Sequence, residues 1–123
     1  MSARPRKTIG ETQNGVRPGV DDRSLREIVD RLVKAYEPES VYLFGSRARG
    51  GQDVHSDYDL LLVVADDAPP ERRRGRLAYQ ALASITTAAD VVVWTRQAFD
   101  ARLHLKASLP STAVREGRLL YGA

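Results

Sequence analysis

Two carboxylates one residue apart, Asp57 and Asp59, stand at the head of the apolar run Leu60 to Val64. In an extended strand such residues face the same way, with Cα atoms roughly 6–7 Å apart. Like charges at the mouth of an apolar strand repel and resist desolvation, and a divalent cation relieves both effects. On its own the spacing also describes a solvated strand entrance. Ten residues separate Asp57 from Gly45-Ser46, which offers a pliable backbone, a hydroxyl and free amides that suit a phosphate group. Such a pair also serves as an ordinary turn.

The elements around these residues decide whether they meet. Val41 to Phe44 is a short β-prone run halted by Gly45-Ser46, and Tyr58 to Val64 suits a strand buried on both faces. Antiparallel pairing would set Gly45-Ser46 beside Asp57 and Asp59. Between the strands, Ser46 to Arg49 starts a helical turn that Gly50-Gly51 ends. Upstream, Ser24 and Glu27 form a capping box. Leu25, Ile28, Val29, Leu32, Val33 and Tyr36 then make one helical stripe, stopped at Pro38. Downstream, Pro70 begins a second helix burying Leu77, Ala78, Ala81, Leu82 and Ile85, with Gly75 weakening its first half. Asp90 to Trp94 is a third strand, and a right-handed crossover makes it parallel to the second. Asp90 therefore reaches the same edge as the other two acids. Thr95 caps a third helix carrying Phe99, Leu103, His104 and Leu105. Pro110 restarts the chain, and Gly117 precedes a short edge strand from Arg118 to Tyr121. The expected fold is a small α+β domain of α/β type, a mixed sheet of three to four strands flanked by helices.

Three acids at one sheet edge are what two magnesium ions about 3.5–4 Å apart require, one activating an attacking hydroxyl and one holding a triphosphate. The chemistry this implies is nucleotidyl transfer, with Mg2+ favoured by hard oxygen ligands and Mn2+ able to replace it. Asp90 is chosen by its place at a strand start. Asp53, Asp66, Asp67 and Asp100 compete with it.

Composition narrows the remaining classes. A chain of 123 residues with 42% hydrophobic and 28% charged side chains suits one domain with a buried core. No run approaches the ~20 apolar residues needed to cross a bilayer. The absence of cysteine excludes disulfides, thiolate zinc sites and cysteine nucleophiles, and points to the cytoplasm. The net charge of +3 resides in residues 1–20, which carry Arg4, Arg6, Lys7 and Arg17 against Glu11. That stretch reads as a flexible basic tail, and residues 21–123 as the domain. The domain balances 15 basic with 15 acidic residues, so a dedicated nucleic-acid groove is not expected. His55, in the loop beside the acids, and His104 lack a second ligand at metal-like spacing. Tyr58 and Trp94 read as packing residues, and Arg72 to Arg74 as a solvated face.

The stretches Leu-Phe-Gly-Ser-Arg-Ala-Arg-Gly and Ser-Asp-Tyr-Asp-Leu-Leu-Leu-Val resemble the minimal nucleotidyltransferases of the DNA polymerase β superfamily. The likeness runs from about Ser24 to Tyr121 and includes the ending Arg-Glu-Gly-Arg-Leu-Leu-Tyr. It implies the polymerase β-like nucleotidyltransferase fold and transfer of a nucleoside monophosphate, AMP from ATP in the first instance, to an acceptor hydroxyl. Asp57 and Asp59 would be the metal-binding pair, Asp90 the third ligand and general base, and Gly45 and Ser46 the triphosphate loop. Arg47 or Arg49 would neutralise developing phosphate charge. Larger relatives, such as aminoglycoside nucleotidyltransferases, add a helical acceptor-binding domain. Minimal members resemble antitoxins whose partner is a helical HEPN ribonuclease modified on a tyrosine. Two other readings stay open: a binding module that silences a partner by covering it, and transfer to a small molecule such as an antibiotic across a homo- or hetero-oligomer interface.

Overall fold

The computed structural model describes residues 23–45, 58–85 and 87–122. The basic segment 1–20 and the turn expected over Ser46 to Arg49 lie outside them. Helix α1 (Arg23–Tyr36) buries Leu25, Ile28, Val29, Leu32 and Tyr36, the stripe that its i, i+3, i+4 spacing requires. Its outer face carries the i,i+4 pairs Glu27–Arg31 and Asp30–Lys34. The helix begins at Arg23, so Ser24 sits inside its first turn rather than ahead of it as a cap. It ends where Glu37 turns to φ +48° and donates its N–H to the Val33 carbonyl at 2.9 Å, with Pro38 unable to continue.

Strands β1 (Ser40–Phe44), β2 (Tyr58–Val64), β3 (Ala89–Thr95) and β4 (Arg118–Gly122) form one mixed sheet in the order β3-β2-β1-β4. β1 is antiparallel to β2 and to β4, and β2 is parallel to β3. Strand β2 is apolar from Leu60 to Val64 because both its faces are covered there. Leu60, Leu62 and Val64 join the core beneath α1, together with Val41, Leu43 and Leu120. Leu61 and Val63 join Phe99 and Ala113 on the other side. Tyr58 packs into the α1 core as expected.

The crossover from β2 to β3 is shorter in helix than the sequence suggests. A 3-10 turn (Pro70–Arg73) precedes α2 (Arg76–Ala81), and the break falls at Arg74-Gly75. Leu82 and Ile85 lie beyond the helix, although both still pack against the α1 core. Arg31 fastens α1 to this segment through Ser84 Oγ at 2.6 Å, and the Tyr36 hydroxyl donates to the Arg74 carbonyl.

On the second face lie α3 (Arg96–Arg102) and α4 (Leu109–Glu116). Thr95 Oγ1 caps α3 by accepting from the Ala98 N–H. Helix α3 ends at Arg102, so Leu103, His104 and Leu105 belong to the following turn, and all three are exposed. Helix α4 is an element the sequence reading lacked. Ser108 Oγ caps it through the Ser111 N–H, and Pro110 occupies its first turn rather than simply restarting the chain. At Gly117 a Cβ would overlap the carbonyls of Leu43 and Ala113, so only glycine lets the chain pass into β4.

Candidate active site

The second residue of β2, Asp59, pairs across the sheet with Phe44 of β1 on one side and Asp90 of β3 on the other. Neighbouring strands lie about 4.7–4.9 Å apart, so the two acids occupy adjacent positions at one sheet edge. Alternation fixes their face. Asp59 shares parity with Leu61 and Val63, and Asp90 with Val92 and Trp94, all of which meet in the core beneath α3 and α4. The pair therefore stands at the open margin of an apolar layer, with Asp59 half-buried and Asp90 exposed.

Gly45 closes this margin from β1. Its φ of +81° is one that side-chain-bearing residues rarely adopt, and a Cβ there would overlap Asp59 Oδ2. Both constraints have one cause: the chain turns out of β1 directly against the Asp59 carboxylate. A bare Cα lets backbone and carboxylate approach, the close contact that a phosphate-cradling turn requires.

The competing acids separate by position. Asp66 accepts from the Gln97 N–H at 2.8 Å, and Asp100 pairs with Arg96 at 3.2 Å. These contacts, with Asp67 in the turn after β2, belong to the opposite end of the sheet. Only Asp90 among the described competitors lies beside Asp59. Asp53, His55, Asp57, Ser46, Arg47 and Arg49 lie outside the described residues. His104 is in an exposed turn, and Trp94 lies on the edge strand, packed against the α3 core.

Asp59 and Asp90 fit a hard divalent cation in donor type, sharing one face above an apolar floor, with room left at Oδ2 by Gly45. Among the described residues no group of three or more metal-ligating side chains occurs. Asp57 would supply the third carboxylate of the set read from the sequence.

A pocket of about 320 Å³ also opens between α2 and the start of β3, with Asp90 in its lining and Tyr79 beside it. Sequence reasoning did not find it. Its space comes from small residues, Gly75, Ala78, Ala83 and Ala89, that converge only once α2 packs on the sheet.

Residues 23–119 match the nucleotidyltransferase domain family. The chain belongs to that family. It is a nucleotidyltransferase of the α+β fold, and its solved neighbours agree with the resemblance to the minimal branch. A toxin–antitoxin structure with AMP-PNP is 25% identical over 83% of this chain and 75% of the other, with a TM-score of 0.56. A tyrosine-to-alanine variant of a toxin–antitoxin pair containing MntA is 25% identical, with coverages of 80% and 72% and a TM-score of 0.51. A protein of Sulfolobus solfataricus, provisionally described as a nucleotidyltransferase, is 25% identical, with coverages of 79% and 76% and a TM-score of 0.52. No curated protein sequence matches this chain. Among the described residues no helix is long and apolar enough to cross a membrane.

Proposed function

We propose that this cytoplasmic protein transfers AMP from Mg-ATP to a tyrosine hydroxyl of a helical HEPN-type partner and so acts as its antitoxin. The observation that carries the reading is the pairing of Asp59 with Asp90 on one face, closed by the bare Cα of Gly45. The neighbour solved with AMP-PNP supports the nucleotide, and the toxin–antitoxin neighbours support the partner.

In the reaction the acceptor oxygen bonds to the α-phosphorus of ATP, the bond from that phosphorus to the bridging oxygen breaks, and pyrophosphate leaves. The hydroxyl proton would pass to the Asp90 carboxylate, the general base that the family resemblance implies. Asp57, Asp59 and Asp90 would hold magnesium, which supplies Lewis-acid polarisation of the phosphoryl oxygens. Gly45 and Ser46 orient the triphosphate through backbone amides and a hydroxyl. Arg47 or Arg49 neutralises charge as it develops on the phosphates.

Intact-mass spectrometry of this protein incubated with the product of its neighbouring gene, Mg2+ and each NTP tests the reading. A gain of one or more nucleoside monophosphates on the partner, lost in Asp57→Ala/Asp59→Ala, is the expected result. An unlabelled partner held equally well by wild type and double variant would replace transfer with steric inhibition.

A further inference from the structure

Several arginines of the domain meet acids: Arg31 pairs with Glu27, Arg96 with Glu39 and Asp100, and Arg115 with Glu116. The segment from Arg72 to Arg76 departs from that pattern. Of its arginines Arg72 alone has a carboxylate partner, Glu37 at 3.1 Å. Arg73, Arg74 and Arg76 are exposed, and among the described residues their side chains make no ion pair or hydrogen bond. Like charges this close in the chain repel one another, and a surface of opposite sign relieves that repulsion.

The backbone that carries these arginines is anchored. The hydroxyl of the buried Tyr36 donates to the Arg74 carbonyl, and Ala78 is held in the α1 core. Between them Gly75 packs closely on β3, since a Cβ there would stand 3.2 Å from the Val91 carbonyl. Arg73 and Arg76 are three residues apart, at most about 11 Å of chain. Positive charge is thus concentrated on one fixed stretch. Three residues beyond Arg76, and so its neighbour on the surface of α2, stands Tyr79, 83% exposed. Solvation accounts for exposed guanidinium groups, but it gives no return for an aromatic ring left in water beside them.

From this geometry we infer that Arg73, Arg74, Arg76 and Tyr79 form a docking surface for an acidic face of the acceptor protein. Carboxylates of the partner meet the guanidinium groups, and apolar surface between them meets the ring. Arginine and tyrosine are enriched at protein–protein contacts and lysine is depleted there, and residues 70–81 contain no lysine. A nucleic acid matches the surface less well. Tracking a polynucleotide takes about 6–10 phosphate contacts and several stacking rings, whereas this stretch offers three unpaired arginines and one ring on a domain that balances 15 basic with 15 acidic residues. The inference rests on protein-directed transfer as the activity. It gives the segment a part in holding the partner and none in the chemistry at the phosphates.

The test uses the full chain and the product of its neighbouring gene. Calorimetry at low and high salt compares wild type, Arg73→Glu/Arg76→Glu, Tyr79→Ser and Arg102→Glu/Lys106→Glu, and thermal melts check that each variant folds. The last variant makes the same change in net charge at exposed residues on and after α3. Affinity of Arg73→Glu/Arg76→Glu for the partner should fall about tenfold or more, and its dependence on salt should flatten. Tyr79→Ser should lose affinity by a smaller factor, and Arg102→Glu/Lys106→Glu should keep the wild-type value. Equal losses in the two charge variants would assign the effect to net charge and overturn the inference, as would unchanged affinity in Arg73→Glu/Arg76→Glu or a product that the wild type does not bind. A single-stranded RNA bound by the wild type and released by Arg73→Glu/Arg76→Glu, with partner affinity unchanged, would give the surface to nucleic acid and overturn it as well. Transfer from Mg-ATP is followed separately by intact mass. A product held through these arginines yet never labelled would sink protein-directed transfer and leave the docking surface standing; a labelled product indifferent to the arginines would do the reverse.

Discussion

Where β2 and β3 begin, Asp59 and Asp90 set two like charges on neighbouring strands; where β3 ends, the charges are opposite and matched. There Arg96 Nε meets Glu39 at 2.9 Å and Nη1 meets Asp100 at 3.2 Å, while Nη2 donates to Ser40 Oγ at 3.5 Å. The same guanidinium lies over the Phe99 ring, 5.5 Å from its centroid. Burial works to lower the Arg96 pKa, yet the hydrogen bonds to Glu39 and Asp100 outweigh it and the value rises. The far end thus fastens α3 to the start of β1. The near end gathers its acids at the margin where the proposed magnesium would bind.

The largest effect should come from the near end. Asp59→Asn keeps the side-chain volume and removes the charge, and we expect transfer to fall by about 10³-fold or more, as when an essential metal-site or electrostatic group is lost. Thermal melts with and without Mg2+ check the cause. Wild type should gain melting temperature with Mg2+ by linkage, and the variant should not. An Asp59→Asn protein that transfers AMP normally would break the contrast between the two ends.

Gly45→Ala should have the next largest effect, and it should move activity and stability together. A methyl group at φ +81° costs about 1–2 kcal/mol, and its overlap with Asp59 Oδ2 displaces the carboxylate. We expect about a tenfold to hundredfold loss of transfer, the scale of a small misplacement at a reacting centre. Full activity with lowered stability would limit Gly45 to a turn.

Much of this edge was legible in the sequence because its causes are local or topological. The apolar run of β2 reveals a strand covered on both faces, and the right-handed crossover brings Asp90 to Asp59. Helix α4 was hidden for a physical reason. Its buried residues are Pro110, Ser111 and Ala113, so no stripe of large apolar side chains announces it. Ser108 as a cap, with Pro110 in the first turn and Gly117 beyond the end, was the available signal. The second helix was overextended because Leu82 and Ile85 continue the apolar spacing after the backbone has left the helix. The pocket had no local signature, since its walls come from two elements separated in sequence.

At the far end, Arg96→Ala should lower stability while leaving transfer intact. Its partners Glu39 and Asp100 are well exposed, which screens the pairs, so the loss is about 1–2 kcal/mol from ion pairs and the ring contact combined. Chemical denaturation reads the loss, and kcat for AMP transfer should stay at the wild-type value. A drop in kcat matching that of Gly45→Ala would show that the two ends are coupled rather than separate.

The smallest effect should be a dependence on alkaline pH set by two phenols that burial affects. Burial raises the pKa of Tyr36, partly offset by a backbone hydrogen bond, and burial likewise raises that of Tyr42 despite the nearby Arg96 charge. Both phenols therefore hold their protons more tightly in the folded chain than in the unfolded one. Below the unfolded value of 10.0 both states are protonated and the stabilisation is complete. As pH rises past it the unfolded chain ionises first, and stability falls until the folded phenols ionise in turn. Tyr36→Phe, which also loses the bond to the Arg74 carbonyl, should lower stability by about 0.5–1.5 kcal/mol at neutral pH. It should also flatten the fall of melting temperature above pH 10, relative to wild type. Equal slopes would mean that the buried hydroxyl of Tyr36 does not set alkaline stability, and would leave that role to Tyr42, stacked on Phe99 at 5.7 Å.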